Sequence, residues 1–101
     1  MPRAEISVRA QRELLAAIRW IKRDNPTAAR ALRRAVNAAA LRIGDHRFIG
    51  EARPEFANET YRFLPVAGFP YVLVYAAAHT PPRIVRILHG ARDLPGALSD
   101  L

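Results

Sequence analysis

The pattern of apolar and polar positions changes its period once, near residue 60. Before that point apolar residues recur at helical spacing. After it they gather into short runs. Leu14, Ala17, Ile18 and Ile21 fall at i, i+3, i+4 and i+7, which lines them up on one face of a helix. Arg12, Arg19, Lys22 and Arg23 lie mostly off that stripe, and Trp20 flanks it, placed to seal its edge. Residues 3–7 read as a short strand leading into the helix. Ser7 is the expected N-cap, because its hydroxyl can accept a bond from an orphan amide of the first turn. The run Asp24-Asn25-Pro26-Thr27 ends this helix and starts another. Asn25 is a good cap, and proline has no N–H to lose at the first helical position. The second stripe is Leu32, Ala35, Val36, Ala39 and Ile43, with Arg30, Arg33, Arg34 and Asn37 facing elsewhere. Gly44 is the expected C-terminal stop. A joint this short predicts an antiparallel helical hairpin, and the many alanines allow close packing.

Residues 45–59 carry no clear period. Pro54 with Glu51, Glu55 and Glu59 predicts a loop, and a loop of about fifteen residues is usually functional or mobile. Three strands follow at 61–64, 71–77 and 84–89, separated by the proline-bearing turn regions 65–70 and 79–82. Their short connections make them antiparallel. They are apolar on both faces, so both faces need cover. The helical hairpin supplies one cover, and a partner or residues 93–101 the other. The predicted fold is therefore α+β and a single domain, 1–101. It has a short N-terminal strand, an antiparallel two-helix hairpin and a three-stranded antiparallel meander.

Charge adds an asymmetry to this picture. Residues 1–43 hold ten Arg or Lys and three Asp or Glu, whereas residues 44–101 hold six of each, so the net charge of +7 belongs to the helical part. Such a field favours an acidic partner, either nucleic acid or an acidic protein segment. Fifteen of the sixteen basic residues are Arg. The absence of cysteine excludes disulfides and thiolate metal sites and fits a reducing compartment. The start of the chain lacks the apolar run of a signal peptide, and the longest strongly apolar stretch, 71–78, is too short to span a bilayer. The expected location is the cytoplasm, with no membrane partner. Three histidines without a second ligand cluster give no metal site, and there is no Gly-rich phosphate loop or nucleophile elbow. No cofactor is expected.

The element order, the aromatic-hydrophobic strand "YVLVY", the arginine of "ETYRFL" and above all the ending "RIVRILHGARDL" resemble the ParE/RelE toxin superfamily over nearly the whole chain. The resemblance implies a twisted antiparallel sheet with the hairpin on one face. It also implies a bacterial toxin held inactive by a cognate antitoxin. Two target classes come with it. RelE-like members are ribosome-dependent mRNA endonucleases, and ParE-like members inhibit DNA gyrase by protein contact. A nuclease of this type needs a base, cationic clamps and an acid. The candidates are Glu51 as base, Arg53, Arg62 and Arg86 as clamps, and His89 as acid or base. The RelE pattern of lysines before the meander is missing, since residues 44–59 hold no Lys, and no aromatic residue follows Tyr75. The ending "LHGARD" looks like ParE. The favoured expectation is thus a ParE-like gyrase inhibitor with no catalytic residues, acting in growth arrest and plasmid stabilisation. The alternatives are a RelE-like ribonuclease acting on the ribosome and mRNA, or a degenerate toxin that only binds its antitoxin.

For partner contact the expected residues are Arg12, Arg19, Arg30, Arg33, Arg34, Arg62, Arg86, His89 and Arg92. Arg62 and Arg86 stand on otherwise apolar strands, so each needs a partner or an exposed face. Glu51, Glu55 and Glu59 are the expected carboxylates. His89 can instead serve as a structural hydrogen-bonder, and Arg92–Asp93 as a local salt bridge fixing the C-terminal turn. His46 and His79 read as surface loop residues.

Overall fold

The computed structural model describes residues 2–94. In chain order these form β1 (Glu5–Ile6), α1 (Val8–Lys22), α2 (Pro26–Asp45), β2 (Glu51–Ala52), β3 (Tyr61–Pro65), β4 (Tyr71–Ala76) and β5 (Arg83–His89). Both helix starts follow from their caps. Ser7 Oγ accepts from the Ala10 amide at 3.1 Å, and Asn25 Oδ1 accepts from the Ala28 amide at 3.0 Å. The Ser7 hydroxyl also donates to Val85 O at 3.3 Å, which ties the start of α1 to β5.

The second helix does not stop at Gly44. It runs on to Asp45, with His46 as its C-cap. A Cβ on Gly44 would run into Pro2 O and lie 2.8 Å from Arg3 Cα. The missing side chain thus serves close packing of the N-terminal segment, where the Ala4 amide donates to Ala40 O at 2.9 Å.

The expected meander is present as β3–β4–β5, antiparallel throughout. Two short strands widen it into a five-stranded mixed sheet of order β1-β5-β4-β3-β2. At one edge β1 runs parallel to β5, with Glu5 opposite Arg83 and Ile6 opposite Ile84. At the other edge β2 pairs antiparallel with β3, which corrects the expectation that 45–59 is all loop. The pairing uses main-chain groups over two residues, too few to leave a periodic signal. A bulge in β5 skips Val85, so that Val74 faces Arg86 and Tyr75 faces Ile84. Bulges bend a strand and re-aim its side chains. Here Ile84 and Ile87 pack on the helix side, Val85 and Leu88 pack on the other, and Arg86 reaches α1.

The main core lies between the hairpin and the sheet. Leu14, Leu32, Val36 and Ile43 meet Leu73, Tyr75, Ile84 and Ile87 there. Trp20 does not seal this core. It is 62% exposed, with the Arg23 guanidinium 5.4 Å from its ring centroid. The opposite sheet face has its own cluster of Phe63, Val74, Leu88 and Leu94, flanked by Phe56 and Ala57. Phe56 tilts against Phe63 at 6.2 Å between centroids, so part of the 45–59 segment covers this face. Residues 93–101 were expected as cover. Leu94 fulfils that role, and the rest of the stretch lies outside the described residues. No helix among the described residues is long and apolar enough to cross a membrane.

Candidate partner-binding surface

The five nuclease candidates are distributed by the register of the sheet. Glu51 is opposite Phe63, Phe63 opposite Val74, and Val74 opposite Arg86. Glu51 and Arg86 thus stand three strand spacings apart, about 14 Å. Arg53 pairs with Glu55 at 3.1 Å and sits 5.0 Å from the Phe56 ring centroid. Arg62 donates from Nη1 to Gly50 O at 2.8 Å and lies 4.9 Å from the Phe48 ring centroid. His89 stands edge-on to Tyr71, with centroids 5.6 Å apart, and its Nδ1 accepts from the Arg92 amide at 3.1 Å. An acid and a base must be within hydrogen-bond reach of one reacting group, and these side chains do not converge on one.

Two of the expected pairings are corrected here. Arg86 binds Glu13 of α1 at 2.8 Å rather than a glutamate of the 51–59 segment. Arg62 is held by a carbonyl and an aromatic ring. Arg86 is therefore buried in the fold and is not presented to a partner. The Arg92–Asp93 reading matches the structure, with Arg92 Nε 3.1 Å from Asp93 Oδ1. That hydrogen bond, with further help from the His89 amide and against some burial, holds the Asp93 carboxyl below its usual range. Main-chain and Arg53 hydrogen bonds likewise hold the Glu55 carboxyl below its usual range. His46 and His79 are exposed, His46 as the α2 cap and His79 in the turn before β5. No cluster of three or more His, Asp or Glu among the described residues could hold a metal ion.

Two residues that anchor this architecture escape a reading by pattern alone. Glu13 is the only acidic residue of α1, at the flank of its apolar stripe. Its carboxylate accepts from Arg86 and also from the Ile87 amide at 2.9 Å, on the edge of β5 beyond the reach of β1. Tyr75 is buried in the sheet, yet its hydroxyl accepts from the Gly50 amide and donates to Arg47 O, both at 2.8 Å. Its isolation as the one acid among Glu13's neighbours was the available signal for Glu13. For Tyr75 it was a phenol in a strand with no polar neighbour.

The outer surface of the hairpin is the remaining feature. On α1, Val8, Arg12, Leu15 and Arg19 follow at i, i+4, i+7 and i+11, which makes one exposed stripe of mixed apolar and basic character. Val8 is 64% and Leu15 41% exposed. On α2, Arg30, Arg33 and Arg34 are exposed. Of the carboxylates in the helical half, Glu5 pairs with Arg83 and Glu13 with Arg86, both on β5.

A family model for the ParE toxin of the type II toxin–antitoxin system, parDE, matches residues 4–94. The chain belongs to the ParE toxin family. The match spans all seven elements, from the residue before β1 to Leu94 in the second core cluster. No curated protein matches the chain. A ParE toxin is half of a pair, so family membership implies a cognate antitoxin as partner.

Proposed function

We propose that this ParE-family toxin arrests bacterial growth by contact inhibition of DNA gyrase in the cytoplasm, and that its antitoxin neutralises it by covering the hairpin. In such a system the pair acts in plasmid stabilisation. The observation that carries the gyrase reading is the spread of Glu51, Arg62, Arg86 and His89 over β2, β3 and β5, with Arg62, Arg86 and His89 engaged in bonds within the fold. A nuclease needs those groups around one phosphate, whereas an inhibitor acting by contact does not. The α1 stripe supports the antitoxin part. Val8 and Leu15 offer apolar area, Arg12 and Arg19 offer charge, and an acidic amphipathic segment complements both.

The reading is tested by growth arrest on expression of Glu51→Ala and His89→Ala. Folded variants are expected to keep most of the arrest and to induce the DNA-damage response. Loss of a catalytic acid or base costs roughly 10²–10⁴-fold in rate. If both replacements abolished arrest, and mRNA were cut in ribosomal A sites, the chain would be a RelE-like ribonuclease instead.

A further inference from the structure

The exposed face of α2 differs in kind from that of α1. Arg30, Arg33 and Arg34 occupy one turn of it. Arg3, from the segment before β1, is held to the same face, its Nη2 donating to Asn37 Oδ1 at 3.0 Å, one turn beyond Arg33. Four guanidinium groups therefore line successive turns. Between Pro26 and Ala40 no large apolar side chain is exposed, and the residues between the arginines are mostly alanine. Protein interfaces are anchored by large side chains seated in pockets; over this stretch the large exposed side chains are cationic, and Leu41, one turn beyond Asn37, adds one exposed apolar side chain at the end of the face. No acidic residue lies in α2 before Asp45.

We infer that this α2 face, with Arg3, binds the phosphate backbone of duplex DNA without reading its sequence. Guanidinium forks match phosphate oxygens, and such contacts position a protein on a duplex without specifying bases. No aromatic residue is exposed on α2 for bases to stack on, which disfavours a single strand. B-form DNA opens a major groove about 12 Å wide, which suits a helix, whereas A-form RNA closes it. The inference concerns the free toxin, whose hairpin the proposed antitoxin does not cover, and it stands apart from the gyrase reading, since gyrase does not enter the contact.

The test is fluorescence anisotropy of the full-length toxin with a labelled duplex of about 20 base pairs, more than twice the span of α2. Binding in the micromolar range at low salt is expected, with a slope of log K against log salt of about −3 to −4 for four phosphate contacts. The triple variant Arg30→Gln, Arg33→Gln, Arg34→Gln should bind about tenfold or more weaker, with a slope near −1. A second triple variant, Arg12→Gln, Arg19→Gln, Lys22→Gln, removes the same charge from α1 and should lose less than about threefold. Helix content and melting of both variants are read first, and glutamine at these exposed positions preserves helix propensity. Equal losses in the two variants would show net charge without a site, which overturns the inference. So would an absence of binding by the parent, or an α2 variant that keeps DNA and loses the antitoxin.

Discussion

Glu13→Ala is expected to lower the folding stability by about 3 kcal/mol, the low end of what breaking a buried ion pair costs. The carboxylate receives Arg86 Nε at 3.1 and 3.0 Å, Arg86 Nη2 at 2.8 Å and the Ile87 amide at 2.9 Å. Removing it leaves a guanidinium that stays in the interior and an edge amide of β5 without that acceptor. The Arg86 side chain is 7% exposed and that of Glu13 21%, so solvent screens the pair from one side only. An exposed pair is worth about 0–1 kcal/mol, and the two cases are easily separated in a urea titration. Glu13→Gln should recover part of the loss, since its amide oxygen can still accept from Ile87. A loss below about 1 kcal/mol for Glu13→Ala would mean that α1 is held to β5 by packing alone.

Tyr75→Phe is expected to cost about 3 kcal/mol, because it leaves the Gly50 amide and the Arg47 carbonyl without their shared partner and each such loss costs about 1–3 kcal/mol. The ring itself is fully buried and would stay in place. Gly50 cannot easily adjust, since a Cβ there would already lie 2.8 Å from Tyr75 Cε1 and 2.9 Å from Phe63 O. The same hydroxyl gives a pH dependence. Burial, the largest cause, pushes the Tyr75 phenol above its usual range, against the Gly50 hydrogen bond and Arg62. A group raised on folding stabilises the fold fully below its unfolded pKa, near 10 for tyrosine, and that contribution is lost as pH rises through the folded value. The parent should therefore lose stability above about pH 10, and the gap between parent and Tyr75→Phe should narrow. A gap that stayed constant between about pH 9 and about pH 11 would contradict this role for the phenol.

Local chemistry was legible in the sequence wherever a residue's role depends on its neighbours in the chain. Ser7 and Asn25 cap because a side-chain oxygen there has an orphan amide within a turn. The two apolar stripes and the three runs of the meander declare their periods. Roles set by distant partners were not legible. Gly44 looks like a helix stop, because glycine does that often, and only the passage of Pro2 and Arg3 explains it. Glu13 meets Arg86 across 73 positions, and no spacing predicts that. The edge strand β1 was expected within residues 3–7, whereas β2 is two residues long and held by main-chain bonds, to which side-chain pattern is blind. The candidate site followed the same division. Side-chain type nominated Glu51, Arg62 and His89 as chemistry, whereas the register decides reach and puts them on different strands. The charge of the hairpin was plain in composition. That Glu5 and Glu13 turn to arginines of β5 needed the structure.

The central claim is that the toxin acts by contact with gyrase and without acid–base chemistry of its own. The most direct measurement is gyrase supercoiling of relaxed plasmid DNA, titrated with the purified toxin and with the double variant Glu51→Ala, His89→Ala. The account predicts that both proteins stop supercoiling at similar concentrations and that added antitoxin restores it. Undiminished supercoiling at a large molar excess of folded toxin, together with mRNA cleavage on translating ribosomes, would contradict it.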